Sequence, residues 1–488
     1  MNKKVVVIGA GLSGLSSAAL LAKNGFDVTI AERNSHPGGV AGQIREKGFV
    51  FDTGPTWFLM PEVFSGFFRL FGREITEYVN IVPLDPSYRI IFRPGDLIDI
   101  TRDLNHNCSV FENREPGSGT RLKDYLSEAE YKYNTAMKDF IYRAYQTIFD
   151  FINRKLIFEG MQLHLLKSLD KYVRKFFKTS DLRKIVEFNT VFLGCSPAKT
   201  PALYSLMTHA DMTIGVGYPM GGIYSLIGAF YRLCGELGVN FKFNSEIKSI
   251  EIHKGKAIGV VSEKEDISAD IVLSAADYHH TETKLLSPEY QTYPDRYWRK
   301  KVIAPTAFLI LLGINKKLGK LAHHTLHLSD GWDEHFIDIF NKPAWPHNPS
   351  FYIGCPSKTD PSAAPPGSEN IFILVPTAPG MDDSKRESYA DTIIKKLEEI
   401  IGESITENIM FKKIISHRDF SSKFNMYRGT SMGLAHTLFQ TAVFRPSHKS
   451  GKVANLYYTG CYTHPGIGMP MVVIASQITT DHINEDIK

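Results

Sequence analysis

The chain has 488 residues, of which 43% are hydrophobic and 22% are charged, the proportions of an ordinary soluble globular protein. This length is too great for one compact core, so we expect two or three domains. The formal net charge is only +4, and no basic run is interleaved with stacking aromatic residues. The composition therefore argues against nucleic-acid binding.

The cysteines are few and widely spaced, and no CxxC pair is present: Cys108, Cys195, Cys234, Cys355 and Cys461. An odd number without paired spacing predicts neither a disulfide framework nor a zinc site, so no metal is expected. Free thiols are typical of a reducing compartment, and we expect the protein in the cytoplasm.

The first residues superficially resemble a signal peptide, because Lys3 and Lys4 precede an uncharged stretch over residues 5–22. Three glycines recur at fixed spacing in this stretch, and an acidic residue ends the strand that follows. Both features are expected of a nucleotide-binding unit rather than a signal. No other uncharged apolar run approaches the ~18 residues that cross a membrane, so no membrane span is predicted.

The chain opens with a βαβ unit. Residues 5–8 predict a short buried strand, residues 14–24 a helix that ends near Gly25, and residues 27–31 a second strand. Between the first strand and the helix lies GAGLSG (9–14), a GxGxxG sequence. Its glycines permit a tight turn, a close approach of the backbone to a pyrophosphate, and close packing of helix on sheet. The phosphates would meet the helix N-terminus, whose free N–H groups favour negative charge.

Glu32 ends the second strand, 18 residues past Gly14. A carboxylate at this position accepts hydrogen bonds from ribose hydroxyls. Because it would also repel a 2′-phosphate, the sequence disfavours NADP and leaves FAD and NAD open.

Glycine-rich segments further along the chain decide between these two cofactors. PGG (37–39) and FDTGP (51–55) follow the acidic residue, and paired glycines let a second loop run close past a cofactor. Near the C-terminus LYYTG (456–460) predicts a strand and turn, and GIGMP (466–470) precedes an apolar helix from Met471. This second helix N-terminus suits the polar edge of a flavin. NAD domains do not need such a distant return, so we predict FAD.

The rest of the chain is predicted to be helical over residues 121–190 and strand-rich afterwards. Seven prolines between residues 341 and 370 predict a surface loop within a sheet domain. The predicted strands are residues 241–243, 247–253, 257–262, 271–273, 306–314, 324–328, 351–353 and 371–375.

No catalytic side chain is assigned from the sequence. The adjacent pairs His279–His280 and His323–His324 are the only candidates for a metal site. Neighbouring residues on a strand point to opposite faces, so we interpret both pairs as structural or surface histidines. No order of Ser, His and Asp typical of nucleophilic catalysis is present.

Taken together, these segments resemble bacterial carotenoid desaturases of the phytoene-desaturase type, within the flavin amine-oxidase superfamily. The resemblance covers essentially the whole chain. The motifs that carry it are VVVIGAGLSGL (5–15), ER (32–33), HPGGVAG (36–42), FDTGPTWFLMP (51–61), GYPMGGIYSLIGAF (217–230), NSEIKSIEIHKGKAIGV (244–260), LSAADYHHT (273–281) and LYYTGCYTHPGIGMP (456–470).

The resemblance implies an α/β fold with a Rossmann-like, GR2-type FAD-binding domain and a discontinuous substrate domain of mixed sheet plus a helical region. It also implies the FAD contacts. Val40 departs from the family, which often carries Arg there, so one side-chain contact is lost. The domains are expected at residues 1–85, 215–285 and 420–488 for FAD, 86–120 and 286–419 for the substrate sheet, and 121–214 for the helical region. The expected cofactor contacts are Gly9, Gly11, Leu12, Ser13, Gly14, Glu32, Arg33, Gly38, Gly39, Gly54, Pro55, Thr56, Ile247, Gly460, Gly468 and Met469.

The implied function is FAD-dependent desaturation of a carotenoid by hydride transfer to the flavin, with oxygen or a quinone as electron acceptor. The stretch LDPSYRIIF (84–92) favours 3,4-desaturation of an acyclic or monocyclic carotenoid with a 1-hydroxylated end, and phytoene or diapophytoene desaturation is the alternative. A related amine or protoporphyrinogen oxidase is a second hypothesis. A prenyl-chain-binding escort protein of the same fold is the non-enzymatic one.

A water-insoluble polyene substrate requires contact with a membrane, and one segment is suited to it. Over residues 161–178, Met161, Leu165, Leu169, Tyr172, Val173 and Phe176 share one face of a predicted helix, and Lys167, Lys171, Arg174, Lys175 and Lys178 share the other. Residues 154–184 carry nine Lys or Arg against three acids. This pattern predicts peripheral binding to the inner face of the membrane, and a core helix with a solvated basic side is the equal alternative.

Overall fold

The structure is a computed structural model that describes residues 2–143, 163–164 and 167–487. Its strands are β1 Lys4–Ile8, β2 Asp27–Ala31, β3 Gln43–Glu46, β4 Phe49–Asp52, β5 Ile81–Pro83, β6 Tyr88–Arg93, β7 Asp96–Ile100, β8 Gly217–Pro219, β9 Asn240–Lys242, β10 Ile247–His253, β11 Lys256–Ser262, β12 Asp266–Ser268, β13 Ile271–Ser274, β14 Thr306–Ile314, β15 His324–His327, β16 Phe351–Gly354, β17 Glu369–Thr377, β18 Ile409–Ile415 and β19 Leu456–Tyr458.

The described α-helices vary from single turns to more than five turns. Their bounds are Leu12–Lys23, Pro61–Arg69, Leu104–Arg114, Ser118–Asp139, Leu169–Val173, Ser180–Glu187, Leu206–His209, Ile223–Glu236, Tyr278–His280, Asp295–Trp298, Trp332–Phe340, Arg386–Ile401, His417–Phe424 and Met469–Ile487.

A five-stranded parallel sheet has the order β19-β13-β1-β2-β9, and its strands come from the N-terminal, middle and C-terminal parts of the chain. Residues 5–8 of β1 are fully apolar and buried because both faces of the sheet are covered. The first helix, Leu12–Lys23, crosses from β1 to β2, which pair in parallel. The predicted βαβ opening is therefore confirmed, with element bounds within two residues of those expected.

A seven-stranded mixed sheet in the order β18-β14-β17-β16-β15-β6-β7 forms the second large layer. Strand β14, which lies between β18 and β17, is buried at all nine positions because alternate side chains enter two different cores. Phe308, Ile310 and Leu312 pack against the helix Arg386–Ile401. Ala307, Leu309 and Leu311 face the other way, into the core shared with the parallel sheet. The α/β class with a mixed substrate sheet is confirmed; the exact domain boundaries stay a prediction.

The predicted amphipathic helix over residues 161–178 is wrong in its described part. Ser168 forms a bridge with Pro201, and the helix that follows is one short segment, Leu169–Val173. The apolar face is buried in the core, where Tyr172 is only 1% exposed. Met161 and Leu165 lie outside the described residues. The apolar face of an amphipathic segment can be buried either in a protein core or in a membrane, and in this segment the described apolar side chains are buried in the core.

The strand expected at residues 351–353, inside the proline-rich stretch 341–370, is confirmed as β16, Phe351–Gly354. One smaller expectation needs correction. His279 and His280 lie in a helical turn rather than on a strand. The imidazole of His279 contacts Asp295, and that of His323 contacts Thr359, so each is engaged locally. Within the described residues, no cluster of potential metal ligands and no helix long and apolar enough to cross a membrane is found.

Candidate active site

A cavity of about 610 Å³ extends from the ends of the parallel strands to the mixed sheet. It brings together residues that the sequence separates by more than 450 positions. Gly14 is the single predicted site residue outside its wall: a Cβ there would lie 2.0 Å from the carbonyl oxygen of Gly9, so its role is close helix packing. The other predicted site residues line the cavity: Gly9, Gly11, Leu12, Ser13, Glu32, Arg33, Gly38, Gly39, Gly54, Pro55, Thr56, Ile247, Gly460, Gly468 and Met469.

Glu32 lies at one end of the cavity and is 5% exposed. Its Oε2 accepts a hydrogen bond from the backbone N–H of Ala10 at 2.7 Å. Its Oε1 accepts from the backbone and side-chain amides of Asn34 at 2.8 and 2.7 Å. These bonds fix the carboxylate at the edge of β1 and β2 and leave lone pairs for the hydroxyls of a ribose.

Glycines bring two backbone segments close together next to this carboxylate. Gly39 has a φ of +58°, and a Cβ on it would lie 3.3 Å from the Cα of Gly11. Gly54 packs so tightly on the carbonyl of Val40 that a Cβ would approach it to 2.1 Å. In contrast, a Cβ on Gly11 would meet nothing within 4 Å. The open space in front of Gly11 is the part of the cavity that suits a pyrophosphate.

Buried polar atoms along the wall test whether the residues fit FAD. The Nη1 of Arg33, the Oγ of Ser245 and the Oγ1 of Thr459 have no hydrogen-bond partner among the described residues. All three residues line the cavity. Because buried polar groups are nearly always paired, such a set indicates a ligand rich in oxygen and nitrogen atoms. The residues present therefore fit an FAD molecule.

The opposite end of the nucleotide part is formed by the C-terminal helix. It begins at Met469, two residues earlier than expected, so that Pro470 lies in its first turn. Gly460 and Gly468 have φ values of +118° and +115°, which non-glycine residues rarely adopt. The unpaired N–H groups and dipole of the helix N-terminus suit the electron-rich edge of a flavin ring.

Beyond this end the cavity wall becomes apolar. Trp57 follows the FDTGPT segment and contacts the rings of Phe188 and Phe192 at 5.9 and 5.4 Å between centroids. Leu206 and Met207 line the same part. Among the described lining residues, the carboxylates belong to Glu32, Glu246 and Asp277, which flank the nucleotide end. No Asp or Glu stands in the apolar part of this described wall, in keeping with the absence of a sequence-assigned base.

A buried polar pair in the cavity wall had no signal in the sequence. The Oη of Tyr204 lies 2.6 Å from Nδ1 of His436, across 232 residues of chain. The backbone N–H of Ile467 donates to Nε2 of His436 at 3.0 Å, so this imidazole carries its proton on Nδ1. Burial, followed by the charge of Arg445, keeps the pKa of His436 well below its usual range. Burial raises the pKa of Tyr204 to about 12, so both groups are neutral at physiological pH.

The family model of flavin containing amine oxidoreductases matches residues 12–484. The chain belongs to this family and, within it, to the group that includes the carotenoid desaturases. It is an FAD-dependent oxidoreductase, as the sequence predicted.

Individual relatives span the whole chain. A carotenoid 3,4-desaturase of Haloarcula japonica is 40% identical over 489 residues, which are 100% of this chain and 99% of the relative. A zeta-carotene-forming phytoene desaturase of Myxococcus xanthus is 32% identical over 99% of this chain and 94% of its own length. The crystal structure of an oxidoreductase from Methanosarcina mazei shares the fold with a TM-score of 0.65 and 19% identity, over 99% of this chain and 100% of that one.

Proposed function

We propose that this enzyme is a carotenoid desaturase that introduces a C=C bond at the 3,4 position of an acyclic or monocyclic carotenoid with a 1-hydroxylated end. The observation that carries the proposal is the continuity of one cavity from the glycine-rich nucleotide end into an apolar part of aromatic and aliphatic side chains. The full-length similarity to a carotenoid 3,4-desaturase supports the same bond. Phytoene or diapophytoene desaturation is the alternative, because relatives of both kinds also match the whole chain.

The cofactor and the side chains of the cavity have different roles in this reaction. FAD, when bound, supplies the acceptor for a hydride from the polyene. Trp57, Phe188 and the neighbouring apolar residues exclude water and hold the chain of the substrate in line with the flavin end. The conjugated double bonds of a polyene spread the positive charge that hydride loss leaves behind. The absence of a carboxylate from the described apolar wall is consistent with this, because no strong base is required.

The same wall argues against the competing hypotheses. An amine substrate carries a cation and favours a nearby carboxylate, and the carboxylates of the described wall flank the nucleotide end instead. An escort protein that binds prenyl chains without flavin does not require a nucleotide site, whereas this chain has the buried Glu32 and the tight contact between Gly39 and Gly11.

The electron acceptor proposed here is oxygen or a membrane quinone. The GxGxxG of residues 9–14 lies at the FAD cavity, and the sequence carries no second strand–turn–helix of this kind for NAD(P). Each new double bond removes two electrons and two protons from the substrate. A hydride would go to the flavin and the second proton to solvent, and the two electrons would then pass from the flavin to this acceptor.

Both proposals are tested with purified holoenzyme and carotenoid-loaded liposomes under argon. We expect turnover when a quinone or oxygen is added and none with NAD⁺ alone. The product is identified by its absorption spectrum and mass, with a 1-hydroxylated carotenoid and phytoene compared as substrates. Sustained anaerobic turnover with NAD⁺ alone would contradict the acceptor, and conversion of phytoene but not of the hydroxylated carotenoid would contradict the 3,4 assignment.

We further propose that the protein acts at the cytoplasmic face of the membrane and docks peripherally at the rim of the cavity. Phe439 is 71% and Phe444 is 42% exposed, and their rings lie 5.9 Å apart. Thr441 and Ala442, between them in the chain, line the cavity. Exposed aromatic side chains beside an apolar cavity suit insertion into the lipid interface. The exposed basic residues Lys171, Arg174 and Lys175 supply attraction to anionic headgroups.

Two variants separate these contributions in a sedimentation assay with phosphatidylglycerol liposomes at low salt. Changing Lys167, Lys171, Arg174 and Lys175 to Gln removes about 1 kcal/mol of attraction per charge near an anionic surface. We expect a loss of binding of at least tenfold, with normal FAD content, and less effect at high salt. Phe439→Ser combined with Phe444→Ser is expected to reduce binding at both salt concentrations. Parental binding by both variants would place the docking surface elsewhere.

A further inference from the structure

A buried arginine that the sequence did not reveal lies directly behind the flavin end of the cavity. We call residues 460–468, which connect β19 to the C-terminal helix, the flavin-end loop. Arg445 is 5% exposed, and all of its hydrogen bonds go to backbone carbonyls. Its Nε donates to the oxygens of Tyr462 and Thr463 at 3.1 Å each, and its Nη2 donates to that of Cys461 at 2.5 Å.

The same guanidinium also holds a second stretch of the wall. Nη1 donates to the carbonyl of Gln440 at 2.9 Å, and Nη2 donates to that of Leu434 at 3.3 Å. Arg445 therefore joins residues 434–440 to the flavin-end loop. The packing is tight: a Cβ on Gly466 would lie 3.0 Å from the Cζ of Arg445. Backbone carbonyls satisfy the donors of this side chain but leave its charge unneutralised.

The charge has no counter-ion among the residues that the structure describes. The titratable groups that act on its charge are phenols and a thiol (Tyr204, Cys461, Tyr297 and Tyr462) and not carboxylates, whereas buried charges are normally paired. Burial lowers the pKa of its guanidinium to about 10, which still leaves it positive at neutral pH. Burial is the main cause that lowers the pKa of both His436 and His464, and the charge of Arg445 lowers the pKa of each further.

We propose that Arg445 is a positioning residue for the flavin whose uncompensated positive charge raises the reduction potential of bound FAD. Reduction adds negative charge to the flavin ring, and a cation behind the loop that lines its site stabilises this form. The helix N-terminus at Met469 acts in the same direction from the adjacent side of the cavity. A higher potential favours removal of a hydride from a C–H bond of the substrate, which is the demanding half of the reaction.

The test compares the midpoint potential of FAD in purified holoenzyme variants by spectroscopic titration against reference dyes. Arg445→Met is expected to lower the equilibrium constant for reduction about tenfold, equal to about 30 mV for a two-electron couple. Arg445→Lys retains the charge and should keep the parental potential, although it makes fewer hydrogen bonds.

A matched control separates charge from loop packing. Gln440 is neutral and 4% exposed, and it joins the same wall to Val302 and Ala435 through its side-chain amide. Gln440→Met therefore loosens the wall without changing the charge, and we expect weaker FAD binding at an unchanged potential. A shift as large in Gln440→Met as in Arg445→Met, or no shift in Arg445→Met, would overturn the proposal.

Because the methionine variant loses several hydrogen bonds, Arg445→Gln serves as a second neutral side chain. It is expected to give the same drop in potential. If neither neutral variant retains FAD, the potential of Arg445→Lys decides. A parental value then supports the role of the charge, and a tenfold loss in the reduction equilibrium contradicts it.

Discussion

Gly11→Val is expected to abolish FAD binding while leaving the fold intact. Gly11 has φ −71° and ψ 176°, a conformation open to any residue, and a Cβ at this position would meet no atom within 4 Å. The valine side chain therefore costs the empty protein little. It would occupy the space in front of the first helix, Leu12–Lys23, where the pyrophosphate is expected to approach the backbone. We expect an affinity loss of at least a hundredfold.

The measurement is the ratio of flavin absorbance to protein absorbance in the purified variant, together with its melting temperature without FAD. Gly14→Val is the matched contrast, because a Cβ there would lie 2.0 Å from the carbonyl oxygen of Gly9. That variant should lose stability as well as FAD. Full flavin occupancy in Gly11→Val would show that the pyrophosphate lies elsewhere.

Met207→Trp is expected to reduce desaturation at least tenfold while FAD content stays normal. Met207 is half-buried and lines the apolar part of the cavity from the short helix Leu206–His209, outside the glycine-rich segments. An indole at this position fills space that a long polyene needs, and repacking around a half-buried residue costs little stability. Product formation in carotenoid-loaded liposomes and flavin absorbance together provide the measurement.

Met207→Leu is the control for this change, because the two side chains have similar volume and such exchanges are well tolerated. It should retain parental activity. Normal turnover in Met207→Trp would mean that the substrate does not pass this part of the wall. Loss of FAD in the same variant would instead indicate that the cofactor extends further than the glycine-rich segments suggest.

The sequence by itself determined the nucleotide end of this protein. A tight turn, a close backbone approach and a strand end each require a particular residue type at a fixed spacing, so Gly9, Gly11 and Glu32 are recognisable without coordinates. The fully buried strand β14 can also be predicted from the sequence, because nine consecutive residues suited to a sheet interior allow few other structures. The C-terminal glycines correctly predicted a second helix N-terminus, and the predicted first residue of that helix differs from the observed one by two positions.

Two features could be known only from the tertiary structure. They are the side-chain contacts in the wall at the flavin end and the burial of the apolar face of the basic segment. Arg445 binds backbone carbonyls, which every residue carries, so no sequence pattern marks its partners. Tyr204 and His436 meet across 232 residues because separate loops converge on one cavity. The pattern over residues 161–178 specifies an apolar and a basic face but not what covers the apolar one. Burial of Leu169, Tyr172 and Val173 settles that for the described part, because only the assembled fold supplies the neighbours that exclude water from them.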